Sequence, residues 1–388
     1  MTPVAIEGVG LTPFGRLEGR DTLDLMSEAA TLALADAGLE RGAIDGLVTG
    51  YSTAMPHLML ATLFAEHFGI RPHYAQAIQM GGATGCGMVM LARLLVASGQ
   101  CRRVLVVAGE NRLTNTGGRD SAIQTLSQVG HARHEVPHGA TIPAYYALLA
   151  SLYGNAYGTS EEDLAEVAVF MRDHAARMEG AHLTDAITVA DVMGSRPIAT
   201  PLKMMDCCPI SDGAAALVVS ADAPAGAPFL VGSGQAHRHQ HISVATDIDR
   251  FGASDAAGRA FAEAGLAPEQ MEVLGIYDSF TITATMLLEE LGFSPRGKTA
   301  EDIRAGRYAS DGGIPLNTHG GLLSYGHPGV AGGMAHIVEV VRHMTGKAGG
   351  RQGSRRPGFG FCHGDGGILS AHVSLVLAME PRTAEPRP

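Results

Sequence analysis

The chain predicts an α/β fold assembled from two similar halves, and two observations carry that expectation. One is an internal repeat: the segment Ala33 to Val48 aligns without a gap with the segment Ala260 to Gly275. Each copy reads as the end of an amphipathic helix, a glycine cap at Gly38 or Gly265, a short polar loop and a strand. The other is the alternation of strand-like and helix-like segments in both halves, which with right-handed crossovers implies mostly parallel sheets. In the first half the chain continues through a strand near Tyr74 to Gln79, a glycine turn, a helix from about Ala83 to Ser98 and the apolar strand Val104 to Gly109. In the second half Pro328 sits at the first turn of a helix from about Val330 to Met344, followed by strands at Gly358 to Cys362 and Leu369 to Ala378. Between about 111 and 195 the pattern is less periodic, with Pro137, Pro143 and a polar helix near Glu161 to Met178. It reads as an insertion covering the site of the first half. The halves fall at about 1–225 and 226–388, and the tail after Glu380 reads as a frayed end.

Composition narrows the function. Charged residues make up 17% and hydrophobic ones 46% of 388 residues, an unusually apolar balance that fits helices buried on several sides or subunits that associate. A net charge of -11 without a basic stripe argues against a nucleic-acid partner held through phosphates. No apolar run reaches the roughly 18 residues that span a bilayer, and the first residues lack a charged and then apolar leader pattern, so a cytoplasmic protein is expected. Cys86, Cys101, Cys207, Cys208 and Cys362 show neither metal-ligand spacing nor a disulfide pattern, so reduced thiols and no metal are expected.

Four segments together meet the needs of an acyl-thioester site. From Asn317 to Gly333 the chain places two histidines, His319 and His327, in a glycine-rich turn opening an apolar helix, where free N–H groups favour negative charge. Tyr277 to Thr281 lies where a strand passes into a helix, the place where open α/β sheets bind ligands. Cys362 to Gly367 reads as a strand end entering a glycine turn whose N–H groups, at Gly364 among them, suit an oxyanion. Met80 to Cys86 opens the first-half helix. Singly, each has a plainer reading: a lone Tyr277 is more often a core residue, a lone Cys362 an inert buried thiol, and Cys207 with Cys208 simple packing.

Taken together the segments resemble the thiolase superfamily, in particular the lipid-transfer-protein (SCP2-type) thiolase branch and its thiolase-like aldolase relatives. The resemblance runs over essentially the whole chain, including Val4 to Gly15, Arg196 to Ala216, and the blocks at Gly326 to Pro328 and Cys362 to Gly364. It implies a thiolase-like fold of two duplicated βαβαβ halves in five layers, α-β-α-β-α, with an inserted loop domain. It further implies a homodimer and a coenzyme A thioester as substrate, with no separate cofactor. His327 and Cys362 match the family's catalytic histidine and acid/base cysteine, and Asn317, Gly82 and Gly364 stand at its turn and oxyanion positions. Two departures matter more. Where a thiolase carries its nucleophilic cysteine, this chain has Gly82, which cannot form an acyl-enzyme; Cys86 lies four residues later, one helical turn on, and is the alternative nucleophile to weigh. Where this branch has histidine, the chain has Tyr277.

Retro-aldol cleavage needs no acyl-enzyme. The expected reading is a carbon–carbon lyase on a β-hydroxyacyl-CoA, with Tyr277 as base, His327 and turn N–H groups holding the enolate oxygen, and Cys362 protonating Cα. Thiolase-like aldolases of steroid side-chain degradation share this logic and work with an OB-fold partner of the DUF35 type, so such a partner and a bulky hydrophobic acyl group are expected by resemblance. Two alternatives stay open: an SCP2-type thiolase or acyltransferase, and a non-catalytic acyl-CoA or lipid-binding subunit.

Overall fold

The computed structural model describes residues 2–115, 126, 129–222 and 224–382. The part of the insertion at 116–125 and 127–128, and the tail at 383–388, lie outside the described residues.

Both copies of the repeat fold alike. In the first half helix α1 (Thr22–Ala37) opens on a capping box between Asp21 and Asp24, closes on Gly38 with φ +66°, and leads through a single turn at Arg41–Ala43 into a strand starting at Gly46. Offset by a constant interval, a helix at Ala253–Ala264 closes on Gly265 with φ +61° and leads through a turn at Pro268–Gln270 into a strand starting at Val273. The repeat is therefore structural as well as sequential.

The strands in chain order are β1 (Ala5–Leu11), β2 (Gly46–Gly50), β3 (Tyr74–Ile78), β4 (Arg103–Asn111), β5 (Pro197–Ala199), β6 (Leu202–Lys203), β7 (Asp212–Ser220), β8 (Phe229–His237), β9 (Val273–Ile276), β10 (Phe359–Gly366) and β11 (Ala371–Ala378). The remaining helices are α2 (Leu60–Phe68), α3 (Thr84–Ala97), α4 (Ile142–Tyr157), α5 (Glu161–Ala175), α6 (Val189–Gly194), α7 (Ala253–Ala264), α8 (Thr281–Glu290), α9 (Thr299–Arg304) and α10 (Val330–Thr345). Nine strands hydrogen-bond in the order β3-β2-β4-β7-β1-β8-β11-β10-β9. Read outward from the β1/β8 contact, the order β1-β7-β4-β2-β3 is matched by β8-β11-β10-β9. The counterpart of β3 shrinks to a bridge of Leu316 beside Leu274.

Mostly parallel pairing was expected; the sheet is mixed. Among the strands of the described residues, only β2 with β3, β2 with β4 and β9 with β10 run parallel. The β10–β11 connection is too short for a crossover, so β11 must run antiparallel, and β7 likewise returns antiparallel along β4 and β1. The two halves meet at a single register pair, Ala5 with Phe229.

Alternate strand residues sort into separate cores. Leu105, Val107, Ala214, Ala216 and Val218 pack under α1 and α2. Val104, Val106, Leu217 and Val219 from one half share a cluster with Val373, Leu375 and Leu377 from the other, around Cys86 and Val89 of α3 and Met334 and Ile337 of α10. Helix α10 is buried on nearly every side and shares this cluster with α3. The turns that open these helices are the ones singled out in the sequence. Among the described residues no helix is long and apolar enough to cross a membrane.

Candidate active site

Three ends of chain converge. Strand β9 delivers Tyr277: the Tyr277 N–H donates to His363 O of β10 at 3.1 Å, one residue beyond the ladder that pairs Cys362 with Gly275. Asn317, in the left-handed region at φ +44°, clamps this end. Its Nδ2 donates to Ile276 O at 2.7 Å and its Oδ1 accepts from Ile276 N at 2.9 Å. The Asn317 amide is thus spent on the strand backbone. Asp278, fully buried, accepts from Leu322 N at 2.8 Å and lies 3.2 Å from His336 Nε2. A Cβ on Gly321, at φ +61°, would fall 1.8 Å from Asp278 Oδ2, so only glycine lets the turn before His327 settle on this carboxyl.

His327 arrives from that turn. Its N–H donates to Ser211 Oγ at 3.1 Å, and its Nε2 lies 3.2 Å from the Tyr277 hydroxyl, with the rings at 87°. Burial pushes the Tyr277 phenol well above its ordinary range, outweighing the opposing pull of Arg112. Burial, Arg112 and His336 push His327 down to about 3. The resting pair is consequently a protonated phenol and a neutral imidazole that meet through the phenol oxygen and Nε2. In the tautomer that lets the phenol donate to Nε2, the imidazole proton sits on Nδ1, which has no hydrogen-bond partner among the described residues. Tyr277 was expected as the base; burial holds its phenol protonated at rest.

Gly82 explains the tyrosine. A Cβ at this position would fall 2.2 Å from the Tyr277 hydroxyl oxygen, 2.3 Å from its Cζ and 2.3 Å from the Asp365 carbonyl oxygen. The phenol and the β10 backbone occupy the room a nucleophile's side chain would need. Cys86 lies within α3, 2% exposed, and burial pushes its thiol up to about 12. Its Sγ faces Gly364, where a Cβ would meet it at 3.3 Å. A thiol so placed is buried and protonated.

Cys362 is fully buried in β10, its thiol held well above the ordinary range by burial, and so protonated. The sequence placed a glycine turn directly after Cys362; β10 instead runs on to Gly366 and turns at Gly367, φ +71°, because Cys362 to Gly366 all find ladder partners in β11. Gly364 is therefore a strand residue.

Sequence reasoning missed several groups. Asp365 is 1% exposed, with Oδ2 3.1 Å from the Tyr146 hydroxyl and burial raising its carboxyl well above the usual range. Glu110 and Arg112, at the end of β4, form a buried ion pair at 3.0 Å. The available signal was an apolar strand ending in Glu110, Asn111 and Arg112, where α/β sheets hold their ligands. No cluster suited to a metal ion occurs among the described residues.

With fold and site in hand, the class is settled: the chain belongs to the thiolase superfamily. The thiolase N-terminal domain family matches residues 4–198 and the thiolase C-terminal domain-like family residues 234–379. Within the superfamily its place is the SCP2-type branch that includes DUF35-associated aldolases. Over 388 aligned residues it is 32% identical to an acetyl-CoA acetyltransferase of Methanothermobacter thermautotrophicus, covering 96% of this chain and 99% of that one. It is 33% identical to a steroid side-chain-cleaving aldolase of Thermomonospora curvata over 363 residues, 87% of this chain and 90% of the relative. A solved "Ltp2-ChsH2(DUF35) aldolase" superposes with a TM-score of 0.83 at 32% identity, over 97% of this chain and 98% of that one.

Proposed function

We propose that this protein is a carbon–carbon lyase that cleaves a β-hydroxyacyl-CoA by retro-aldol chemistry. The observation that carries the reading is the Tyr277 phenol standing in the notch at Gly82, 3.2 Å from His327 Nε2. A site that has given the nucleophile's space to an acid–base group is built for proton movement and not for acyl capture.

The steps balance. The substrate β-hydroxyl gives its proton to Tyr277 as Tyr277 passes its own to His327 Nε2. The Cα–Cβ bond breaks, the carbonyl fragment leaves, and the bonding pair becomes a thioester enolate. The Nδ1–H of His327 and the free N–H groups at the start of α10 are suited to hold the enolate oxygen. Cys362, protonated at neutral pH, supplies the proton to Cα and is restored by the proton held on the Tyr277–His327 pair. The acetyltransferase relative supports action on acyl-CoA thioesters, and the aldolase relatives support cleavage. The buried thiol of Cys86 weighs against the acyltransferase reading.

A bulky hydrophobic acyl group such as a steroid, a homodimer, and an OB-fold partner of the DUF35 type belong to the same proposal, as does a five-layer stacking with α3 and α10 as the central layer. The test is incubation with a β-hydroxyacyl-CoA bearing a tertiary hydroxyl, with and without a DUF35-type partner, following release of the ketone. Tyr277→Phe is expected to lower turnover about 10²–10⁴-fold while leaving product binding nearly unchanged. A Phe variant with full activity would make Tyr277 a core residue.

A further inference from the structure

His327 reaches Tyr277 from a glycine-rich turn, so the place of its ring depends on how the backbone of that turn is held. Two segments of the first half hold it. On one side runs the chain just ahead of β7: Ile210 bridges His327, and the fully buried Ser211 accepts the His327 N–H on Oγ at 3.1 Å. A Cβ at Gly326 would fall 2.5 Å from the same Oγ, so the hydroxyl lies directly against the turn. On the other side runs the insertion, where His182 N donates to Tyr325 O at 3.0 Å and Leu183 N to Ser324 O at 3.0 Å. One side-chain contact joins the two segments, His182 Nδ1 to Ser211 Oγ at 2.8 Å.

A serine hydroxyl has one proton to give and lone pairs with which to accept. Ser211 accepts from His327, and its own proton faces His182 Nδ1 at 2.8 Å and Pro209 O at 3.4 Å, the second a long and weak bond. His182 is partly buried, and burial holds it below the ordinary histidine range, with Asp212 opposing that shift and Arg16 reinforcing it. Its ring is therefore neutral at pH 7. In the tautomer that leaves Nδ1 free, the ring takes the serine proton and turns a serine lone pair to the His327 N–H.

We infer that His182 and Ser211 are positioning residues that seat His327 against Tyr277: the serine holds the backbone of His327, and His182 orients the serine hydroxyl. The inference rests on the lyase reading, because what the chain positions is the 3.2 Å meeting of His327 Nε2 with the Tyr277 hydroxyl. Both residues act through one hydrogen-bonded chain, so removing either should do most of the damage of removing both. The loss should fall on kcat and leave KM nearly unchanged, since the displaced group belongs to the proton-transferring pair.

The experiment follows ketone release by wild type, Ser211→Ala, His182→Phe, the double variant and His182→Asn, whose Oδ1 can stand near the place of Nδ1. Circular dichroism and thermal melting establish that each folds. Ser211→Ala and His182→Phe are each expected to lower kcat about 10–10²-fold at nearly constant KM, and His182→Asn to recover most of the rate. The double variant should be no more than about threefold slower than the slower single one. Hydrogen exchange of the His327 amide, read on a short peptide that contains it, should quicken about tenfold in both single variants. Losses that multiply in the double variant, or wild-type kcat in a folded His182→Phe, would overturn the chain. Should His182→Phe not fold, Ser211→Ala decides, and full kcat with unchanged exchange there would overturn it. Absence of ketone release by wild type, or full activity in Tyr277→Phe, would instead sink the lyase reading. The exchange measurement needs no turnover, so in that case it alone tests whether His182 and Ser211 hold the turn, and unchanged exchange would remove that role too.

Discussion

The two glycine turns that open α3 and α10 are structural counterparts lying side by side, and they have taken opposite parts in the site. The second-half turn carries His327 with Tyr277 against it, and Cys362 stands on the strand beside the one that delivers Tyr277, all three from the C-terminal half. The first-half turn carries Gly82 and contributes a vacancy, filled by the phenol. The repeated helix–cap–strand unit at Gly38 and Gly265 gives each part of the chain its own strand ends, so on the proposed reading chemistry is concentrated in one while the other supplies shape and charge. Here the first half gives room at Gly82 and a fixed ion pair at Glu110 and Arg112.

The sharpest way to break that comparison is to disable the second half. Besides the loss expected for Tyr277→Phe, His327→Ala should slow carbonyl release about 10²–10³-fold, the cost typical of one oxyanion donor. Cys362→Ala should leave release nearly intact and slow only incorporation of solvent deuterium into the acyl-CoA product. Equal, slight effects would mark both residues as relics of the fold. In the first half, Gly82→Ala should push the phenol off His327 and cost about 10²-fold in rate, since small displacements at a reacting centre are that expensive. Unchanged turnover in Gly82→Ala would show that the phenol and Gly82 do not compete for one space.

Smaller effects test the scaffold. Asn317→Ala leaves the Ile276 N–H and C=O without partners and should lower stability by about 2–4 kcal/mol, read by denaturant melting. In β10 and β11, His363 Nε2 lies 3.2 Å from His372 Nδ1, and His372 Nε2 lies 3.0 Å from Leu369 O. Burial pushes His372 down to about 4, whereas an unfolded histidine titrates near 6.5. Between those values the unfolded chain binds more protons, so stability should fall as pH drops from about 6.5 to about 4 and be unaffected near pH 7. A His372→Gln variant with an equally steep decline would place the acid sensitivity elsewhere.

Much of this was legible in the residues, for stated reasons. The repeat around Gly38 and Gly265 needs only local chemistry, a helix, a cap and a strand, and both copies fold as read. Tyr277, His327 and Cys362 stood out because each follows a strand or opens a helix, and the structure places Tyr277 against His327. The sheet's direction was less legible, because a hairpin such as that between Gly366 and Ala371 differs from a crossover only in connection length. The partners of Arg112 and Asp365 depend on which segments meet in space: Thr53 faces Arg112 and Tyr146 faces Asp365 across long stretches of chain. For the same reason the sequence showed that Gly82 lacks a nucleophile without showing what stands in its place.

The measurement that bears most directly on the central claim is intact mass of the protein during turnover of a β-hydroxyacyl-CoA, combined with peptide mapping after rapid quenching. Cleavage without covalent capture predicts release of a carbonyl fragment and a shortened acyl-CoA while the protein mass stays that of the free chain. An acyl adduct that appears during turnover and maps to Cys86 would contradict the account and make this protein an acyltransferase with a displaced nucleophile.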